Sequence, residues 1–328
     1  MKIAFFLPKA KDKKKQSNLF FEKIYPFFSL SLLIIVLCLC SLVVEVKKSE
    51  EKVLGKSISF RELLPAPAWY PVDKNLSSFP NLSANTIKVI DADSFVTLYE
   101  KNPNQRVFPA STTKMMTAII ALEQYPMDQV LTVGKTIVDG NIIMLEPGEQ
   151  LTAENVLYGL LVGSGNDAAL VLAENYPQGV IGFVEAMNKK AKELSLYDTH
   201  FTNPMGYDQE GHYSTADDLS RLASYAMKNQ EIAKIVSTSE YTVTDVTGDK
   251  IHKLKNTNEL VGQVDGVRGV KTGWTENAGE CLVSYVEKNN RKIISTILGS
   301  NDRFGETKSI IDWAFVNFEW KKISPYSF

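Results

Sequence analysis

Helical patterns in the middle of the chain, followed by closely spaced strand patterns near its end, predict an α+β fold for these 328 residues. Residues 109–123 combine a polar start, Ser111 to Lys114, with a mainly apolar run over residues 115–122. Pro109 suits a helix entry and Pro126 its exit, so the segment reads as a largely buried helix. Residues 157–162 are apolar and residues 168–173 form a second helical run, with a short polar turn between them. From Val267 the pattern changes. Residues 267–270, 281–286 and 292–298 are short apolar runs, and Asn289-Asn290 supplies a turn between the last two, as expected for adjacent antiparallel strands. Residues 310–320 return to a helical period and are expected to form a terminal helix packed on the sheet. Its polar face lacks the several basic residues that a membrane-surface helix would carry.

The N-terminal region has a different character. Residues 26–46 contain an uncharged apolar stretch long enough for one membrane span. Lys9, Lys11, Lys13, Lys14, Lys15 and Lys23 precede it, which places residues 1–25 in the cytoplasm as a basic tail and the rest of the chain outside. The rival is a cleaved signal peptide, but Val43-Val44-Glu45-Val46 offers no small-residue cleavage site. Residues 47–83 are charged and then interrupted by Pro65, Pro67, Pro71 and Pro80, as in a linker. Residues 84–322 remain as one domain, followed by a tail at 323–328.

Composition excludes several classes. The net charge of −2 gives no bias toward nucleic acid. Cys38 and Cys40 fall in the expected span and Cys281 in a strand, which leaves no disulfide pair in the exported domain. His200, His212 and His252 are dispersed without metal-ligand spacing, so neither a metal nor another cofactor is expected. His212 precedes a helix start capped by Ser214 or Thr215, with Asp217 and Asp218 in its first turn, and reads as structural.

Three short strings carry the chemistry: Ser111-Thr112-Thr113-Lys114, Ser164-Gly165-Asn166 and Lys271-Thr272-Gly273. Singly they are weak. Ser49-Glu50-Glu51-Lys52 and Ser83-Ala84-Asn85 repeat two of them in polar stretches with no apolar run nearby. The later set differs because each string abuts an apolar run. Residues three apart share a helix face, so the Lys114 amine can take the proton of the Ser111 hydroxyl if burial and nearby positive charge lower its pKa. Free N–H groups at the helix start suit an oxyanion. Ser164, on a tight turn, can pass a proton between Lys114 and a leaving amine. The Asn166 amide can both donate to and accept from a peptide-like substrate. Lys271 and Thr272 at a sheet edge, with Gly273 admitting close approach, suit a terminal carboxylate.

With these strings, and with Thr202-Asn203-Pro204-Met205-Gly206, residues 213–219 and residues 269–275, the sequence closely resembles the serine D-Ala-D-Ala carboxypeptidases, the low-molecular-weight penicillin-binding proteins of peptidase family S11. The resemblance implies a β-lactamase/DD-peptidase-like fold, an antiparallel sheet flanked by helices plus a mostly helical subdomain. It implies Ser111, Lys114 and Ser164 as catalytic residues. Asn166, Lys271, Thr272, Gly273, Trp274 and Arg303 would bind substrate, the oxyanion lying against the N–H groups of Ser111 and Trp274. The expected reaction removes the terminal D-alanine of peptidoglycan stem peptides, and β-lactams would acylate the same serine. An endopeptidase that cuts cross-links would use the same site. A β-lactamase is disfavoured because residues 198–206 contain no Glu to serve as a deacylating base. A penicillin sensor would be expected to carry a cytoplasmic effector, where residues 1–25 form only a short Lys-rich tail.

Overall fold

The structure, a computed structural model, describes residues 69–135 and 138–322. The expected cytoplasmic tail, span and C-terminal tail, with most of the linker, lie outside the described residues. Among those described, no helix is long and apolar enough to cross a membrane.

A five-stranded antiparallel sheet organises the domain. Its strands are β2 (Thr86–Asp91), β3 (Thr97–Lys101), β8 (Val267–Thr275), β9 (Gly279–Lys288) and β10 (Arg291–Ser300), in the order β3-β2-β10-β9-β8. The sheet is covered on both faces, and the period of two in its strands shows how. Leu282, Val286, Ile293 and Ile297 pack with Ile310, Ile311 and Ala314 of the terminal helix α7 (Arg303–Asn317). Their neighbours Cys281, Val283, Ile294 and Leu298 share the other core with the central helices. Both faces apolar explains why these strands read as continuous runs without alternation. Asn289 and Asn290, with φ of 51° and 59°, close the β9–β10 hairpin in the left-handed backbone that asparagine tolerates.

The central helices are α1 (Lys114–Gln124), α2 (Ala153–Leu161), α3 (Asn166–Glu174), α4 (Gly179–Glu193), α5 (Ala216–Ala226) and α6 (Gln230–Val236). Residues 114–121 of α1 are all buried, which makes it the axis of this helical half. The Thr215 side chain caps α5 by accepting from the Asp218 N–H at 3.1 Å, and Asp217 and Asp218 occupy its positive first turn. Two small antiparallel pairs are β4 (Val130–Thr132) with β5 (Gln150–Thr152) and β6 (Glu240–Thr244) with β7 (Ile251–Lys255).

Three expectations need correction. The helix expected over 109–123 opens as a 3₁₀ turn, Ala110–Thr113, and becomes α-helical only at Lys114, because Ala110 adopts φ 49° and turns the chain sharply into the site. The terminal helix stops at Asn317, and Phe318–Lys322 forms β11. Its partner is β1 (Trp69–Asp73), inside the stretch assigned to the linker, so ordered structure begins before residue 84. Pro71 sits in β1 without breaking it because β1 pairs with a single neighbour and loses no central hydrogen bond.

Candidate active site

The three strings converge on one cleft of about 1020 Å³ between the sheet edge and the helical half. Ser111 comes from the 3₁₀ turn, Ser164 from the α2–α3 connection, Asn166 from the first position of α3, and Thr272, Gly273 and Trp274 from β8, which is the edge strand. Arg303, at the start of α7, also lines it.

Lys114 is fully buried, and its Nζ has three polar neighbours: Ser111 Oγ at 2.7 Å, Asn166 Oδ1 at 2.7 Å and the Met205 carbonyl at 2.9 Å. Burial pushes its pKa down to about 7, against the opposing pull of the Asp167 charge. Asn166 Oδ1 and Met205 O can only accept, so a neutral amine spends both N–H groups on them. Its lone pair then faces the Ser111 hydroxyl. The arrangement is that of a general base already aligned with its nucleophile.

Ser164 takes a strained backbone with φ 57°, which turns its hydroxyl into the cleft. Its Oγ accepts from Lys271 Nζ at 2.8 Å. Ser164, expected to pass a proton between Lys114 and the leaving amine, is hydrogen-bonded here to Lys271. Lys271 is 1% exposed, and burial together with the positive charges of Lys114 and Arg303 holds its pKa well below the ordinary lysine value. Among the described residues its other polar neighbours are the Thr272 carbonyl at 3.1 Å and Thr272 Oγ1 at 3.5 Å. A buried lysine with no carboxylate beside it among the described residues is a site for an anionic ligand, whose charge would favour the ammonium form. Thr272 Oγ1 lies 2.8 Å from Thr257 Oγ1, and Arg303 spans the edge by donating to the Gly273 carbonyl at 3.0 Å.

Gly273 is glycine for a steric reason. A Cβ there would stand 2.9 Å from Ala110 Cβ and 3.0 Å from the Ser111 nitrogen, so only a bare backbone lets β8 close on the nucleophile turn. The Trp274 side chain is exposed at the mouth of the cleft. Asn166 departs from its expected role as a free clamp. Its Oδ1 holds Lys114, and its Nδ2 donates to the Asp139 carbonyl at 2.7 Å and Tyr207 Oη at 3.3 Å. In this structure the amide orients the base.

Sequence reasoning missed Asp139, Tyr207, Asp208 and Thr257, which also line the cleft. Tyr207 and Asp208 follow directly on a string already recognised, and that adjacency was the available signal. Asp139 and Thr257 act through carbonyl and hydroxyl groups in motif-free segments. His212 is buried as expected, 2.9 Å from Thr113 Oγ1 under the nucleophile turn, and burial pushes its pKa down to about 4.

A serine activated by a buried lysine, beside a second serine and an anion-seeking lysine on a sheet edge, defines a serine acyl-transfer site. The chain belongs to the D-alanyl-D-alanine carboxypeptidase family, peptidase family S11, whose model matches residues 73–302. It is 37% identical over 246 residues to the D-alanyl-D-alanine carboxypeptidase DacF of Bacillus subtilis, covering 72% of this chain and 63% of that one. The chain thus spans somewhat under two thirds of that relative's length. A D-alanyl-D-alanine endopeptidase of Pseudomonas aeruginosa is 32% identical over 253 residues, covering 76% of this chain and 78% of its own. The crystal structure of the Streptomyces K15 DD-transpeptidase superposes with a TM-score of 0.70 at 33% identity, covering 73% of this chain and all of the other.

Proposed function

We propose that the protein is a serine D-alanyl-D-alanine carboxypeptidase that trims the terminal D-alanine from peptidoglycan stem peptides. The observation that carries the reading is the buried Lys271 beside Thr272, with no carboxylate next to it among the described residues, set on the same edge strand that closes on Ser111. It matches a substrate whose free carboxylate lies one residue beyond the bond to be cut.

The chemistry follows from the geometry. Lys114 accepts the Ser111 proton as Oγ attacks the carbonyl carbon between the two D-alanines, and negative charge develops on the carbonyl oxygen. The N–H groups of Ser111 and Trp274 would receive that charge. The tetrahedral species collapses as the C–N bond breaks. The leaving nitrogen takes a proton from the Ser164 hydroxyl, which is oriented by its bond from Lys271, and the proton that Lys114 took from Ser111 restores that hydroxyl. Water then cleaves the acyl-enzyme by the reverse roles, releasing the shortened peptide. β-Lactams, which present a strained amide beside a carboxylate, would acylate Ser111 and leave slowly.

Free D-alanine released from a pentapeptide, and monomeric peptides released from a cross-linked dimer, test the assignment. Release from the pentapeptide supports it, and cleavage of the dimer alone would make the protein an endopeptidase, as the Pseudomonas relative is named. Residues 26–46 are proposed to anchor the protein in the cell membrane as a single span with the catalytic domain outside. The uncharged apolar stretch and the lysines before it support this.

A further inference from the structure

Outside the three strings, one side chain holds the site from behind. Residues 138–146 form a strap across the Ser164-Gly165-Asn166 turn, and Ile143 is its anchor. The Ile143 side chain lies over three glycines: a Cβ would meet it at 2.4 Å from Gly159, 2.6 Å from Gly163 and 3.2 Å from Gly165. These glycines give α2 and the turn a bare surface that Ile143 fills. Its backbone is gripped at both ends. The Ile143 N–H donates to the Asp167 carboxylate at 3.0 Å, and its carbonyl lies 3.0 Å from His252 Nδ1.

His252, on β7, has its other nitrogen 2.7 Å from Glu149 Oε1, and the Glu149 side chain is completely buried. The ring thus bridges the strap backbone to a buried carboxylate, with one oxygen of each lying at one of its two nitrogens. Glu149 Oε2 in turn accepts the Glu146 N–H at 3.0 Å, closing the strap on itself.

The strap delivers this order to the catalytic groups. The Asn141 carbonyl accepts the Asn166 N–H at 2.7 Å, and the Asp139 carbonyl accepts Asn166 Nδ2 at 2.7 Å. Asn166 Oδ1 then fixes Lys114. We infer that His252 is a positioning residue for the reaction, acting through Ile143 and the strap to hold Asn166, and with it the Lys114 base, in register with Ser111. This rests on the reading of Ser111 and Lys114 as nucleophile and base.

Two readouts test it in the full chain. Acylation of Ser111 by a fluorescent penicillin should slow by roughly tenfold to a hundredfold in His252→Phe, with most of the rate restored in His252→Gln, whose amide carries two N–H groups for the same two acceptors. Hydrogen exchange in the same proteins should show lost protection at Asn166 in His252→Phe and its return in His252→Gln, with α7 unchanged as the control for folding. A folded His252→Phe protein acylated within twofold of wild type, or one with Asn166 as protected as before, would overturn the inference. A wild type that is never acylated would instead refute the nucleophile assignment, and the exchange measurement would still decide whether His252 orders Asn166.

Discussion

Lys271 donates to the Oγ of Ser164 at 2.8 Å across 107 residues of sequence. That single bond joins the sheet edge to the helical turn, and the two strings that it joins act as one device. The hydroxyl is oriented by a lysine whose other neighbours, among the described residues, belong to Thr272, which leaves its amine open to meet a carboxylate. Lys114 is the contrasting case, with its N–H groups committed to Asn166 and Met205 and its lone pair left for Ser111.

Lys114 must be neutral to accept a proton. Its pKa of about 7 means that the neutral fraction rises with pH through that value. The rate of penicillin acylation should therefore climb between about pH 6 and pH 8 in a one-proton step and then level off. Lys114→Arg, which cannot deprotonate, should lose activity by roughly 10² or more at every pH. A folded Lys114→Arg protein with near-normal turnover would show the amine to be structural.

Gly273→Ala would place a methyl group 2.9 Å from Ala110 Cβ and 3.0 Å from the Ser111 nitrogen. The edge strand must then retreat from the nucleophile turn. Acylation should fall by roughly tenfold or more, since sub-ångström errors in such sites are costly, while the melting temperature changes by only a few degrees. Stopped-flow acylation and thermal unfolding on the same sample separate the two effects.

His212 is held at a pKa of about 4 by burial, below its ordinary value of 6.5. Below pH 6.5 the unfolded chain binds a proton that the folded one refuses, so stability is lost as pH falls from 6.5 toward 4. The loss attributable to this one group is on the order of 3 kcal/mol. Denaturant unfolding of wild type and His212→Gln across that window should give a steeper pH dependence for wild type, and parallel curves would refute the assignment.

For residues 26–46 the expectation is an uncleaved span. Fractionation and N-terminal sequencing of the exported protein should find it in the membrane with that segment intact. A mature terminus after Val46 would make the segment a signal peptide.

What the sequence revealed and what it hid have physical reasons. The strands and the buried helix were legible because their apolar runs and the Asn289-Asn290 turn are local signals. The pairing of β1 with β11 was not, because it joins residues 69–73 to 318–322, and a proline-rich segment resembles a linker until its partner is known. At the site, residue types and helical spacing pointed to Ser111 and Lys114. The link from Lys271 to Ser164, the occupied amide of Asn166 and the carbonyls of Asp139 and Met205 depend on how distant backbones meet, and no spacing encodes that.

The measurement that bears most directly on the whole account is covalent labelling of the intact protein with a penicillin, read by mass spectrometry of its peptides. The account predicts one adduct, on Ser111, that is absent from Ser111→Ala while the variant's fold is unchanged. Labelling of Ser111→Ala at the wild-type rate, or an adduct on another residue of the wild type, would contradict it.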